Sequence, residues 1–242
     1  MTNQIEIRSS VELPAIREEI TLTTADGLQL VGELALPLHK PPVATLITLH
    51  PLPTHGGFMD SHILRKAANR LPELADIAVL RFNTRGTSSP RGTSQGVFGE
   101  GVTEQHDLEA AVAFARSRNL PNLWLVGWSF GTELALKYGA RQPVVGAILL
   151  SPPLHRTSDA ELSAWVGSDK VLAALVPEHD DYLQPAEAAK RFSMLPNLKL
   201  IGVEGAKHLW VGELATARVL NEIVALVNPT KAPLPTVWSP SS

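Results

Sequence analysis

Gly127-Trp128-Ser129-Phe130-Gly131 is the stretch whose residue types and spacing point most directly to chemistry. The apolar run Leu123 to Val126 leads into it and a helix-like run follows at once, the setting of a nucleophile elbow. Glycine is needed on both sides because the turn is too tight for a side chain there, and the turn lifts Ser129 clear of the backbone. A serine hydroxyl is a poor nucleophile at neutral pH and needs a base within hydrogen-bond reach. Of the eight histidines, His208 in Glu204-Gly205-Ala206-Lys207-His208-Leu209-Trp210 sits on a glycine-containing loop between the last expected strand and the last expected helix. The imidazole needs a carboxylate to hold its tautomer and stabilise the imidazolium. Asp180 and Asp181 compete for that role. Asp180 is favoured because it stands at the crest of the loop, whereas Asp181 also suits an acid at the start of the next helix, complementing its dipole.

Charge developing on a carbonyl oxygen must be met by donors already in place. The backbone amide of Phe130, at a helix start, is one candidate. The second is the amide of Leu52 in His50-Pro51-Leu52-Pro53-Thr54-His55-Gly56-Gly57, because Pro51 and Pro53 have no amide hydrogen. His50 is read as a brace for that loop and His55 as a lining residue. Trp128 is read as packing or as a wall of the acyl pocket. Arg85 is a candidate for meeting an anionic substrate, with Arg91 beside it; both also suit loop-bracing ion pairs. His50, His55 and His62 lack a carboxylate at ligand spacing, so no metal site and no cofactor is expected. His106-Asp107 reads as a solvated helix face.

These groups need a frame. Short apolar runs alternate with longer amphipathic ones, the signature of a parallel sheet with crossover helices. Strands are expected at Ala44 to Leu49, Ile77 to Phe82, Leu123 to Val126, Ala147 to Leu150, Val171 to Val176 and Leu198 to Val203. Helices are expected at His62 to Ala75, Val102 to Arg118, Phe130 to Arg141, Pro185 to Met194 and Glu213 to Val227. Before these, Glu19 to Thr24 and Leu28 to Leu36 flank Asp26-Gly27, a hairpin signal. The fold class is therefore α/β, a mostly parallel central sheet with an antiparallel N-terminal edge and helices on both faces. Ligands in such sheets sit beyond the carboxyl ends of the strands, where Ser129, Asp180 and His208 all fall. The stretch Ser151 to Lys170 is too short for a helical lid domain, which leaves an open cleft. Residues 1–18 read as a lead-in and 19–228 as one domain. Residues 229–242 read as a proline-rich, loosely docked tail.

The chain has 242 residues, a formal net charge of −3 and no cysteine. Disulfides, thiolate metal sites and a cysteine nucleophile are excluded. The absence of basic excess argues against nucleic acid or an anionic membrane as partner. The N-terminal residues lack an apolar signal core and no apolar run approaches a membrane span, so a cytoplasmic protein is expected.

The same residues resemble the small, lidless bacterial α/β-hydrolases, related at a distance to dienelactone hydrolases and acyl-peptidase-like esterases. The resemblance runs from about Leu28 to Val227. It is carried by the His-Pro-x-Pro-x-x-Gly-Gly loop at His50 to Gly57, Met59-Asp60, Arg81-Phe82-Asn83-Thr84-Arg85-Gly86 and the Gly-x-x-Glu-x-x-Asp-Leu helix start at Gly101 to Leu108. The elbow at Gly127 to Gly131, Ser151-Pro152-Pro153 and Gly205 to His208 complete it. Two departures stand out: Pro177 where the group usually has glycine before the acid, and Leu-Trp after His208 where two aromatics are usual. The resemblance implies an α/β-hydrolase fold without a lid domain and a Ser129, Asp180, His208 triad acting on a carboxylic ester. The expected activity is a serine hydrolase cleaving a small ester through an acyl-enzyme. A thioesterase or peptidase with the same triad, or a non-catalytic binding protein on the same fold, are the alternatives. A second copy of the chain closing the cleft, as a homodimer, is left open.

Overall fold

The structure, a computed structural model, describes residues 4–8 and 10–240. Its centre is a sheet of eight strands: β1 (Ile16–Thr23), β2 (Gln29–Leu36), β3 (Ala44–Leu49), β4 (Ile77–Phe82), β5 (Leu123–Trp128), β6 (Gly146–Leu150), β7 (Val171–His179) and β8 (Lys199–Lys207). Their spatial order is β1-β2-β4-β3-β5-β6-β7-β8. β2 pairs antiparallel with β1 and β4, and every other pairing is parallel. β3, β4, β5 and β6 are buried along their whole length. Both of their faces are covered, which is why they read as predominantly apolar runs, broken only by Thr45, Thr48 and Arg81, rather than as alternating ones.

The helices divide between the two faces. α1 (His62–Ala75) lays Ile63, Leu64, Ala67, Ala68 and Leu71 on one face of the sheet. The spacing of these residues follows the helical repeat. α2 (Gln105–Ser117) and α3 (Phe130–Tyr138) cover the other face through Leu108, Ala111, Leu134 and Ala135. The short α4 (Asp159–Ser163) follows β6, α5 (Pro185–Arg191) follows β7, and α6 (Glu213–Val227) packs Val219, Leu220 and Ile223 beside α1. Each fully buried leucine-sized side chain contributes about 1.5–3 kcal/mol relative to exposure. Among the described residues no helix is long and apolar enough to cross a membrane.

Several boundaries differ from the pattern-based expectation. β5 continues to Trp128, which pairs with Leu150, and β7 continues to His179. α2 starts at Gln105 rather than Val102, because the Glu104 carboxylate accepts from the Gly99 and Gly101 amides at 2.7 and 2.9 Å and holds that turn out of the helix. α4 was not expected; Ser158 and Glu161 form its capping box. The described part of the tail, residues 229–240, is not loosely docked. Val237–Trp238 pairs antiparallel with Ile5–Glu6, and the Trp238 indole donates to Glu73 on α1 at 2.9 Å.

Candidate active site

Two close approaches shape the elbow. A Cβ on Gly127 would stand 2.4 Å from the Gly131 carbonyl oxygen, and one on Gly131 would stand 2.0 Å from that of Leu49. Ser129 itself takes φ 52° and ψ −116°, which costs a non-glycine residue about 1–3 kcal/mol. It is held there by its amide, which donates to the Leu150 carbonyl at 2.9 Å, and by its carbonyl, which accepts from the Thr132 amide and hydroxyl.

Asp180 meets His208 through a register shift. Pro177 on β7 pairs with Val203 on β8, but His179 pairs with Lys207. The next residues along these parallel strands are Asp180 and His208, which are thereby brought level. His208 Nδ1 lies 2.9 and 3.1 Å from the two Asp180 carboxylate oxygens, and His208 Nε2 lies 2.9 Å from Ser129 Oγ. The carboxylate accepts from Nδ1–H, leaving Nε2 free to accept the serine proton. Burial works against the Asp180 charge. The hydrogen bond from His208 and the amides of Tyr182 and Leu183 outweigh it and hold the carboxyl below its ordinary range. Asp181 is exposed on the same loop.

The loop that carries His208 is also held from behind. The His208 carbonyl accepts from the Trp128 indole at 3.2 Å and the Ser151 hydroxyl at 3.1 Å, and the Leu209 carbonyl accepts from His62 Nε2 at 2.7 Å. Trp128 therefore ties the elbow to the histidine loop while also lining the cleft.

His50 sets the opposite wall. Its Nε2 accepts from the Thr84 amide at 3.0 Å, so Nδ1 carries the proton and donates to the Pro51 carbonyl at 2.7 Å. Burial lowers this imidazole to about 4, which keeps it neutral. The Pro51 carbonyl and the Leu52 amide share one planar trans peptide and point in opposite directions. Anchoring the carbonyl at His50 thus turns the Leu52 N–H away from it. The Leu52 carbonyl is fixed in turn by the His55 and Gly57 amides, both at 3.0 Å.

Between these walls lies a cleft of about 300 Å³ containing Ser129, His208, Leu52, Phe130, His55 and Trp128. Pro153, His155, Arg156 and Tyr182 line it as well. None of the four is a candidate in the sequence: Pro153 belongs to the Ser-Pro-Pro motif but carries no reactive group, and His155, Arg156 and Tyr182 stand in stretches without a motif. The loop after β6 is clamped by Glu133 of α3, a buried carboxylate that accepts from the His155 and Arg156 amides and the Thr157 hydroxyl.

Arg85 is not in the cleft. It is buried, donating to Asp107 at 2.9 Å and to Asp26 at 2.9 Å. Asp107 is correspondingly a buried partner and not part of a solvated face; burial pushes its carboxyl up, against the pull of Arg85. Arg91 joins Arg81, Glu33 and Asp60 in a second ion-pair network. Asn83 accepts from the Met59 amide at 2.9 Å. The Arg-Phe-Asn-x-Arg-Gly stretch is thus a set of loop braces beneath the cleft.

The sequence profile of the alpha/beta hydrolase family matches residues 47–236. No functionally curated sequence is significantly similar to the chain. Among solved structures, it is similar to a lidless α/β serine hydrolase of Xanthomonas campestris, at 28% identity and a TM-score of 0.71, covering 93% of this chain and 98% of that one. An α/β serine hydrolase homologue from Coxiella burnetii is similar at 25% identity and a TM-score of 0.70, covering 88% and 96%. The Pyrococcus furiosus esterase Pf2001 has the same fold at 15% identity and a TM-score of 0.72, covering 93% and 98%.

Proposed function

Since the chain belongs to the alpha/beta hydrolase family, we propose that it is a serine hydrolase that cleaves a small carboxylic ester by way of an acyl-enzyme. The observation that carries this reading is the unbroken series from Ser129 Oγ through His208 to the Asp180 carboxylate. Ser129 Oγ attacks the ester carbonyl as its proton passes to His208 Nε2. The Asp180 carboxylate stabilises the imidazolium and keeps Nδ1 protonated. The Phe130 and Leu52 amides receive the charge on the carbonyl oxygen. His208 then gives its proton to the departing alkoxide, and the cycle repeats with water to release the acid. A cleft of about 300 Å³ suits a small substrate.

The test is turnover of a short-chain aryl ester by the wild type and Ser129→Ala. The variant is expected to lose at least about a thousandfold in kcat while keeping its far-UV circular dichroism. Unchanged turnover would rule the reading out. Matched thioester and anilide substrates in the same assay separate an esterase from a thioesterase or peptidase.

A further inference from the structure

Acyl transfer leaves one charged group of the cleft without a task. Arg156 lines the cleft together with Ser129 and Phe130, and among the described residues no aspartate or glutamate lines it. Its guanidinium lies over the ring of Phe130, the residue after Ser129, 5.7 Å from the ring centre. Its carboxylate partner among the described residues is Glu100, at 3.0 Å. The Glu100 side chain is 70% exposed, and an ion pair so open to water contributes little. An incoming anion can replace Glu100 at small cost.

The backbone under Arg156 is fixed in advance. The buried Glu133 carboxylate accepts from its amide at 3.1 Å and from that of His155 at 2.7 Å. Because Glu133 belongs to α3, the helix that the elbow opens, the position of Arg156 is tied to that of Ser129. Preorganisation of this kind reduces the ordering cost of binding. His155 adds an exposed imidazole to the cleft lining, edge-on to Tyr182 at 5.5 Å.

We propose that the cleft selects esters bearing a carboxylate, and that Arg156 is the residue that recognises it. The planar guanidinium fork matches a carboxylate in both geometry and charge. The proposal rests on the serine hydrolase reading above and adds the class of substrate.

The experiment uses two substrate pairs. The 4-nitrophenyl monoester of glutaric acid and its methyl ester place the charge on the acyl side. Then 3-carboxyphenyl butanoate and its methyl ester place it on the alcohol side. In one pair the wild type is expected to favour the free acid by about tenfold or more in kcat/KM. Arg156→Gln should collapse that ratio towards one, and Glu100→Gln, which removes the competing anion, should raise it. A ratio near one in both pairs, or one that Arg156→Gln leaves in place, would overturn the proposal. Affinities of the same esters for Ser129→Ala, measured by calorimetry, report the same preference without turnover. If the wild type cleaves none of them, the hydrolase reading fails, and the affinity ratio still decides whether Arg156 selects a carboxylate.

Discussion

Asp180 and Asp181 are adjacent in sequence and stand in opposite surroundings. Asp180 is 4% exposed and accepts from His208 and two backbone amides, while Asp181 faces solvent. Asp180→Asn offers an amide N–H where His208 needs an acceptor and favours the wrong tautomer. It should lower kcat for an aryl ester by about a thousandfold or more, and Asp181→Asn by less than about threefold. Comparable losses in the two variants would contradict the assignment. Sequence alone could rank these two acids but not separate them, because the choice is made by the register shift between β7 and β8. Arg85 illustrates the same limit. A loop arginine reads alike whether it faces a substrate or an acid, and its partners Asp26 and Asp107 are 59 and 22 residues away.

The loop after β3 acts as a unit. Leu52 has φ −54°, within the range of a proline ring, so Leu52→Pro deletes the amide hydrogen while keeping the local backbone angle. It should cost about 10²–10³ in kcat, whereas Leu52→Ala, which keeps the amide, should cost far less. Equal losses would remove Leu52 from the oxyanion site. His50 gives this loop a pH signature. Above the ordinary imidazole value of about 6.5 it is neutral both folded and unfolded, and contributes no pH dependence. As the pH falls below that, the unfolded chain takes up a proton that the folded chain refuses down to about 4. Stability is therefore lost across this window, by roughly 2 kcal/mol at pH 5. Urea unfolding at pH 7 and pH 5 should show the advantage of wild type over His50→Asn shrinking by about that amount; a constant difference would show that His50 does not carry the effect. The His-Pro-x-Pro pattern made the loop recognisable, but the Thr84 amide that fixes the tautomer was visible only in the fold.

At the scale of the molecule, the alternation of apolar runs and amphipathic stretches was enough to place the sheet and its covering helices. Ala44–Leu49, Ile77–Phe82, His62–Ala75 and Glu213–Val227 fall where the pattern puts them, because each is defined by burial against its own neighbours. The tail was illegible for the opposite reason. Its proline-rich composition has no period, and it is held by partners as remote as Glu73, 165 residues from Trp238. The family motifs divide in the same way. Gly127 to Gly131 and His208 converge on the cleft, while Arg81, Asn83, Arg85, Glu104 and Asp107 brace the loops beneath it. In the proposed function a single serine, Ser129, does the chemistry. Titration with an alkyl phosphonate, read by intact mass and by residual aryl-ester turnover, tests it most directly. The predicted result is one adduct per chain, located on Ser129 and absent in Ser129→Ala, with activity falling in proportion to labelling. Full activity in a fully labelled protein, or an adduct that persists in Ser129→Ala, would contradict it.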